Sequence, residues 1–278
     1  MLKVLAEYFQ CGTISVDNKE NKTLRYLVNN KLDIETKIIP HFLNYPLVTS
    51  KKLNFNSFNK AFDIFKKGEH LTPEGFSLIV SLKNEMNKSR SFEDKFASSW
   101  SESNNITLHP AWVQGFADGE GSFGAHLTIN NRSRVENVLE VQIKTDFNIS
   151  QNIYDIAVMH YIQKFFNNKG FITPKLKDMT NLEEVLSSGK IASKYVLSDN
   201  NLIIEFFDKY PLLTSKQLDF LDFKNFVFLK NSKKHLTKEG FVEMLNLIEG
   251  MNTGRFGITK RKKTIIPEWN NDTKVIIK

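Results

Sequence analysis

The sequence has little of what would mark a disulfide-stabilised, zinc-binding or membrane protein. Its 278 residues include a single cysteine, Cys11, which excludes a disulfide framework and a cysteine metal centre. The six histidines are scattered without close pairs, so we predict no zinc site. No apolar run approaches the roughly 18 residues of a membrane-spanning helix, so we expect no membrane partner. Residues 1–10 show neither a signal peptide nor an Arg-rich transit peptide.

The charge and the residue usage favour an acidic partner. The 38 Lys and Arg residues exceed the 31 Asp and Glu residues, which gives a net charge of +7 and a pI near 9.2. Such a basic balance favours a polyanion such as nucleic acid. The chain is also rich in Phe, Asn, Lys and Ile, whose codons are AT-rich. That usage is typical of organellar genomes, and we expect a mitochondrial protein.

One long segment of the chain occurs twice. Residues 42–87 recur without a gap as residues 207–252, and 19 of the 47 positions over 41–87 are identical. The matched strings include Tyr45-Pro46-Leu47 with Tyr210-Pro211-Leu212, Thr49-Ser50-Lys51 with Thr214-Ser215-Lys216, and His70-Leu71-Thr72 with His235-Leu236-Thr237. Two long copies are too few for a solenoid, and they suit a target with approximate two-fold symmetry, such as duplex DNA.

The repeat predicts the domain organisation. We expect a truncated first repeat over 1–87, a second and complete repeat over 109–256, and a C-terminal tail over 257–278. The segment 88–108 is rich in Ser and in charge, so we expect a linker that crosses the surface.

The hydrophobic periodicity predicts an α+β fold with the same order of elements in both halves. In the second half we expect a helix that begins at Pro110 and ends near Glu120 and two alternating strands over 123–130 and 139–144. Further expected elements of this half are a helix over 153–167, strands over 171–177 and 192–198, and helices over 200–210, 215–231 and 237–251. In the first half we expect a helix over 3–9, a hairpin over 13–16 and 24–29, and helices as far as 87. Aligning Gly12 with Gly170 predicts that the first half lacks the opening helix and the first strand pair.

The string from Trp112 to Phe123 carries the chemistry. Gly115 and Gly119 lie four residues apart on one helix face, where small residues let two helices approach closely. Asp118 and Glu120 stand at the helix C-terminus, where the helix dipole disfavours anions. Carboxylates in that position suggest a bound cation, and Mg²⁺ accepts one or two carboxylates together with waters and phosphate oxygens.

This string resembles the LAGLIDADG motif of homing endonucleases and intron maturases. The resemblance implies a pseudo-two-fold duplicated fold with αββαββα halves and antiparallel saddle-shaped sheets, here with an incomplete N-terminal half. By that match Glu120 is the metal-binding catalytic acid, while Gly115, Gly119 and Asp118 are helix-interface residues. Lys233, two residues before the repeated His235, matches a lysine near the scissile phosphate, and we expect structural roles for His70 and His235.

The resemblance also implies that the chain is encoded within an intron, and it implies a reaction and a partner. The expected activity is Mg²⁺-assisted hydrolysis of double-stranded DNA, with metal ions at the junction of two motif helices. The polar faces of the sheets would lie in the major groove, and the chain would be a monomer if its N-terminal half is complete. The DNA-binding candidates are Ser122, His126, Thr128, Asn130, Gln142 and Lys144 in the second half, and Thr13, Ser15 and Arg25 in the first.

The absence of a first motif helix leaves alternatives open, because Glu120 is then the only acid of its kind. The translation start could lie upstream of Met1, or the chain could be a remnant that binds DNA without cleaving it. It could also be a maturase that binds group I intron RNA. A non-catalytic DNA-binding protein on the same scaffold is a further alternative.

Overall fold

A computed structural model describes residues 1–18, 20, 23–100, 106–130, 138–252, 255 and 273–277. These residues form two compact units. Unit 1 comprises 1–105, 154–158 and 179–183, and unit 2 comprises 106–153, 159–178 and 184–278. The predicted turn after Asn130, residues 101–105 of the predicted linker and most of the predicted tail lie outside the described residues. Throughout the described part, no helix is both long and apolar enough to cross a membrane.

Unit 1 has the elements that the sequence predicts for the first half. Strands β1 and β2 form an antiparallel hairpin in which Ser15 lies opposite Arg25. A π-helical turn over Ile34–Ile38 joins α2 to α3. The elements are α1 (Leu2–Phe9), β1 (Thr13–Asn18), β2 (Thr23–Leu27), α2 (Lys31–Asp33), α3 (Ile39–Asn44), α4 (Lys51–Lys66), α5 (Pro73–Asn84) and α6 (Phe92–Trp100).

Helix α6 corrects the prediction of a surface linker over 88–108. Phe96 on this helix is only 4% exposed. The Ser99 hydroxyl donates hydrogen bonds to the Tyr154 carbonyl and to the Asp155 carboxylate, both at 3.0 Å. The C-terminal half of α6 is therefore packed within unit 1, where Ser98 and Ser99 are buried, while Ser89 and Ser91 remain exposed.

Unit 2 is built on one sheet with the strand order β3-β4-β6-β5, in which all these pairs are antiparallel, and with β7 parallel to β4. Strand β7 falls within the predicted tail, so part of that segment belongs to the sheet. Strand β5 ends earlier than predicted, because Pro174 has no N–H to continue the pairing. The elements are α7 (Pro110–Glu120), β3 (Gly121–Asn130), β4 (Val138–Asn152), α8 (Ile156–Phe165), β5 (Phe171–Thr173), α9 (Leu182–Ser187), β6 (Ala192–Leu197), α10 (Asn200–Lys209), α11 (Lys216–Asn231), α12 (Lys238–Gly250) and β7 (Lys274–Ile277). The first residues of α8 and α9 belong to unit 1.

The core of unit 2 is a cluster of phenylalanines between the sheet and the helices. Successive side chains of a strand point to opposite faces, so the residues of β3 alternate between core and solvent. Phe123 is fully buried, and its ring centroid lies 5.1–5.6 Å from those of Phe207, Phe220 and Phe223. Packing against α10 and α11 therefore fixes the face that β3 turns to solvent.

Each unit contains the same local turn, in which a glycine stands between a helix and a strand. Gly12 and Gly170 have φ angles of 77° and 78°, a left-handed conformation that favours glycine. In unit 1 the Tyr26 hydroxyl donates to the Cys11 carbonyl at 2.9 Å, and in unit 2 the Tyr195 hydroxyl donates to the Lys169 carbonyl at 2.9 Å. This match confirms the alignment of Gly12 with Gly170, so β1 and β2 correspond to β5 and β6.

Candidate functional site

Helix α7 is fixed at both ends. His109 caps the N-terminus by accepting a hydrogen bond from the Ala111 amide at 3.2 Å, and Pro110 follows where its missing N–H costs nothing. Near the C-terminus, Asp118 is 5% exposed and accepts from the Leu213 amide at 2.6 Å. It also accepts from the amide and hydroxyl of Thr214 at 3.2 and 2.6 Å. Asp118 therefore ties the end of α7 to the loop before α11.

Glu120 is the exposed carboxylate of the motif. It is the last residue of α7, and the next carbonyl, that of Gly121, accepts a hydrogen bond from the Lys216 ammonium. Glu120 thus stands between two anchored positions, Asp118 and Gly121. Since three donors already bind the Asp118 oxygens, Glu120 is the motif carboxylate that remains available to a cation.

A single exposed carboxylate such as Glu120 meets the requirements of the predicted Mg²⁺. In the part of the chain that the structure describes, no group of three or more His, Cys, Asp and Glu side chains could enclose a metal. Mg²⁺ does not need such a cage, because it retains several waters and takes the remaining ligands from phosphate oxygens. Binding of Mg²⁺ at Glu120 therefore stays a prediction.

The glycine face of α7 is open. Gly115 and Gly119 are both exposed, and a Cβ atom added at either position would meet nothing within 4 Å. The helix-interface role of Gly115, Gly119 and Asp118 therefore stays a prediction.

Most of the sequence-predicted DNA-binding residues of the second half lie on one face of the sheet. Residues opposite each other in the β3–β4 pair share a face, and the side chains between them, such as Val141 and Ile143, are buried. His126 and Thr128 are exposed on this face. For Asn130 the structure gives the backbone position alone. The cross-strand pairs are Ser122 with Asn148, His126 with Lys144, Thr128 with Gln142, and Asn130 with Glu140.

This polar face continues beyond the residues that the sequence predicted. Strand β4 extends to Asn152, and its longer alternation adds Asp146 and Asn148. The Asn148 amide donates to Asp146 at 2.7 Å, and His126 Nε2 lies 4.0 Å from the same carboxylate. A cleft of about 240 Å³ lies here, with Lys194 of β6 in its lining. Sequence analysis missed these residues because it ended the strand near Lys144, although the alternation continues.

Asn252 fixes the start of β3. Its amide side chain donates to the Phe123 carbonyl at 3.0 Å, and its Oδ1 accepts from the Ser122 hydroxyl at 3.2 Å. Its own backbone amide donates to Asp219 at 2.9 Å, and Arg255 Nε donates to the same carboxylate at 3.0 Å. Sequence analysis did not single out Asn252 as a site residue, although it is one of the identical positions of the repeat.

Comparison with known proteins identifies the family of this chain. The family model described as LAGLIDADG endonuclease matches residues 1–62 and 113–227. The chain belongs to the LAGLIDADG endonuclease family.

Two of the relatives carry the names of intron-encoded endonucleases. "Probable intron-encoded endonuclease 3" of Neurospora crassa is 29% identical over 267 residues, which cover 90% of this chain and 45% of that protein. "Probable intron-encoded endonuclease 2" of the same fungus is 34% identical over 58% of this chain and 32% of its own length. The chain thus spans less than half the length of these two curated relatives.

The structural likeness extends over nearly the whole chain. The LAGLIDADG homing endonuclease I-SmaMI, solved bound to cleaved DNA, aligns with a TM-score of 0.73 and 28% identity over 91% of this chain and 82% of its own. The LAGLIDADG meganuclease I-AabMI, solved bound to uncleaved DNA, aligns with a TM-score of 0.71 and 29% identity over 90% and 85%. The expected α+β fold of two LAGLIDADG repeats is thereby confirmed.

Lys233 has a backbone conformation that disfavours lysine. Its φ is 59°, and its counterpart in the first LAGLIDADG repeat, Gly68, has a φ of 75°. A residue with a Cβ atom pays roughly 1 kcal/mol for this left-handed conformation, and glycine does not. A solvent-exposed lysine in this conformation suggests that its ammonium group contributes to function. Its catalytic role stays a prediction.

The two repeated histidines, His70 and His235, are packed against other parts of the protein. His235 is only 3% exposed, and burial lowers its pKa. The ring therefore stays neutral down to a lower pH than that of an exposed histidine. The His70 ring lies 4.5 Å from that of Phe65, centroid to centroid. These surroundings agree with the structural roles expected for both.

The first-half candidates Thr13, Ser15 and Arg25 lie together on the β1–β2 hairpin of unit 1. Arg25 Nε donates to the Ser15 hydroxyl at 3.3 Å, and the Arg25 guanidinium lies 3.6 Å from Asp17. The ion pair is exposed, so it holds Arg25 weakly and leaves the guanidinium accessible. DNA binding by these three residues stays a prediction.

Proposed function

We propose that this chain acts in site-specific hydrolysis of double-stranded DNA, as a homing endonuclease. One observation carries the proposal. The exposed Glu120 carboxylate ends α7 immediately before the strand whose polar face begins at Ser122. Only Gly121 thus separates a potential metal ligand from a surface able to bind nucleic acid.

The polar face of β3 and β4 is suited to the major groove of DNA. This groove admits a two-stranded β-ribbon, and it presents hydrogen-bond donors and acceptors that differ between base pairs. Gln142 and Thr128 can both donate and accept, and Lys144 can reach phosphate oxygens. The net charge of +7 supplies the sequence-independent attraction. The DNA-bound state of the solved neighbours I-SmaMI and I-AabMI supports this assignment.

Glu120 would hold the divalent cation, and the neighbouring anchors at Asp118 and Gly121 would keep that carboxylate in place. When bound, Mg²⁺ lowers the pKa of a coordinated water and neutralises charge on the phosphate. One structure of I-SmaMI was determined in the presence of calcium ions, which agrees with a divalent-cation site in this family. Lys233 would contribute a second positive charge that attracts the phosphate.

The names of the relatives support an origin within an intron. The Saccharomyces cerevisiae "Intron-encoded DNA endonuclease aI3", for example, is 28% identical over 54% of this chain and 39% of its own length. Together with the AT-rich residue usage, these names favour expression in mitochondria.

Cleavage of a plasmid that carries the intron-insertion junction tests the proposal. With Mg²⁺, the protein should produce double-strand breaks at that junction. Glu120→Gln should lower the cleavage rate by at least about a hundredfold, because it removes the charged ligand for the cation. Its affinity for the same DNA in a gel-shift titration should remain unchanged.

The matched control is Glu205→Gln, which neutralises an exposed carboxylate on α10 and should cleave at the wild-type rate. Nicking without double-strand breaks would indicate that a single strand is attacked. Full cleavage by the Glu120→Gln protein would refute the assignment of the metal ligand. Tight binding to the intron transcript without any DNA cleavage would instead favour a maturase.

A further inference from the structure

Asp146 is an acid on the polar face of unit 2, the surface that the proposed function brings to DNA. It lies on β4 opposite Gly124, and its neighbours along this face of the strand are Lys144 and Asn148. Its side chain is 21% exposed, and His126 Nε2 lies 4.0 Å from Oδ2. No Lys or Arg in the described part of the chain lies within 4.0 Å of the carboxylate. A group that repels phosphate thus stands on this face without a strong cationic partner.

Two neighbours determine the orientation of the Asp146 carboxylate. The Asn148 side-chain amide donates to Oδ1 at 2.7 Å. On the opposite strand, Gly124 leaves the space that the carboxylate occupies, since a Cβ atom at this glycine would lie 2.9 Å from Oδ2. A glycine inside a strand weakens the strand, and it often marks the close approach of another group. The position of the carboxylate therefore depends on the residue types at 124 and 148.

The second oxygen of this carboxylate, Oδ2, keeps its capacity to accept. Among the residues that the structure describes, no group donates a hydrogen bond to Oδ2, because His126 at 4.0 Å is beyond hydrogen-bond distance. An ionised carboxylate accepts hydrogen bonds and donates none. A ligand that binds at Oδ2 must therefore supply a donor.

Two bases offer a donor in the major groove of DNA. Cytosine presents its N4 amino group and adenine its N6 amino group, whereas guanine presents O6 and N7 and thymine presents O4, which are all acceptors. Adenine also carries the acceptor N7 beside its amino group, and this atom repels a carboxylate. Cytosine is therefore the base from which a carboxylate accepts with the least repulsion.

We propose that Asp146 is a specificity-determining residue that accepts a hydrogen bond from the N4 amino group of one cytosine in the target. This inference rests on the proposed function, because it takes the polar face of β3 and β4 to lie in the major groove. Asn148 and Gly124 act as positioning residues for the carboxylate. The acid contributes selectivity more than affinity, since its charge opposes the general attraction to phosphates and only the correct base compensates for that.

Binding to a set of duplexes tests the proposal. The set spans the intron-insertion junction and changes each base pair in turn to the other three. Affinities are measured by gel shift in calcium, the ion with which I-SmaMI was solved on an uncleaved target. The wild-type protein should prefer cytosine at one position by at least about tenfold. Asp146→Asn should lose this preference at that position alone and favour adenine there, because an amide can bond to both N6 and N7.

Gly124→Ala is a second variant that keeps the charge and displaces the carboxylate. It should also lose the preference for cytosine, while its circular dichroism spectrum remains that of the wild-type protein. The matched control is Glu205→Gln, which removes an exposed carboxylate from α10 and should leave every base preference unchanged.

Base preferences that Asp146→Asn leaves unchanged at every position would overturn the proposal. So would an equal change in affinity for every duplex, because the carboxylate would then act through its charge alone. If the wild-type protein bound all duplexes equally, site-specific recognition itself would be refuted, and the proposed function would fail together with this inference.

Discussion

Phe76 and Phe241 occupy the same position in the two copies of the repeat, within the same Glu-Gly-Phe string. One is mostly exposed and the other is fully buried. The helices around them begin in the same way, since Thr72 and Thr237 each cap the helix by accepting a hydrogen bond from the amide three residues later. Local structure is therefore the same in both copies, and the difference lies in what packs on top.

A second pair of positions shows how the copies have diverged in charge. In unit 1, Asn54 accepts from the Asn87 amide at 2.9 Å, and Arg90 donates to the Ser57 hydroxyl at 2.9 Å. In unit 2 the same positions hold Asp219 and Asp222, and both bind Arg255. The geometry persists, while neutral acceptors in one copy are carboxylates in the other.

A third difference concerns the loop before the long helix of each unit. Asp118 binds this loop in unit 2 through Leu213 and Thr214. In unit 1, Asp155 accepts from the amide and the hydroxyl of Ser50 at 2.7 and 3.1 Å. A buried aspartate thus satisfies the loop in each unit, although the two aspartates come from different segments of the chain. The requirement for an acceptor has been kept while its source has changed.

The largest effect should come from truncating the paired phenylalanines. Phe241→Ala should lower the free energy of unfolding by about 3–5 kcal/mol, because it leaves a cavity in a close-packed core. Phe76→Ala should change it by less than about 0.5 kcal/mol, since the side chain is mostly in water. Urea denaturation of both variants checks the pair, and equal losses would contradict the burial contrast.

The two buried aspartates give two different predictions, the size of a stability loss for Asp118 and the pH dependence of stability for Asp155. Asp118→Asn should cost about 2–3 kcal/mol, because charge-assisted hydrogen bonds from three donors are weakened at a buried position. Burial raises the pKa of Asp155 in the folded state. Stability should therefore fall as the pH rises from the ordinary value of about 3.9 through that raised pKa. Asp155→Asn should remove this fall, as urea titrations at several pH values will show.

Exchanging acceptors between the copies should have an intermediate effect. Asp219→Asn gives unit 2 the residue of unit 1 and should cost about 1–2 kcal/mol, since Arg255 keeps Asp222 as its remaining partner. The reciprocal Asn54→Asp should gain less than about 1 kcal/mol, because its surroundings are more exposed. A gain from Asp219→Asn in denaturant titrations would show that the ion pair is not stabilising.

The smallest effect on stability should come from exchanging Lys233 and Gly68. Lys233→Gly should leave the free energy of unfolding unchanged or raise it by less than about 1 kcal/mol, because it relieves a left-handed lysine. The same variant should lower DNA cleavage by at least about tenfold if the ammonium group acts on the phosphate. Gly68→Lys is the reciprocal control and should cost up to about 1 kcal/mol. Unchanged cleavage by Lys233→Gly would leave Lys233 without a role in the reaction.

Much of the fold and part of the site could be predicted from the sequence. The start of α7 follows from Pro110. The β3–β4 pair and its polar face follow from periodicity, because a side-chain period of two assigns residues to faces without any knowledge of the partner. The helix α6 could not be predicted, since its serines resemble a linker until Tyr154 and Asp155 are seen to accept from Ser99. Asn252 and Lys216 were visible as repeated residues, but the repeat does not reveal what they bind.

The sequence by itself determined the family, the duplication and the pair of acids that end α7. The resemblance to the family motif gave Glu120 and Asp118 different expected roles, but it did not reveal which groups Asp118 binds in the folded unit. Only the tertiary structure decided that Asp118 accepts hydrogen bonds from residues about 95 positions further along the chain, while Glu120 faces solvent. The same holds for Phe76 and Phe241, because burial depends on which segment packs against a side chain and not on the side chain or its neighbours in the chain.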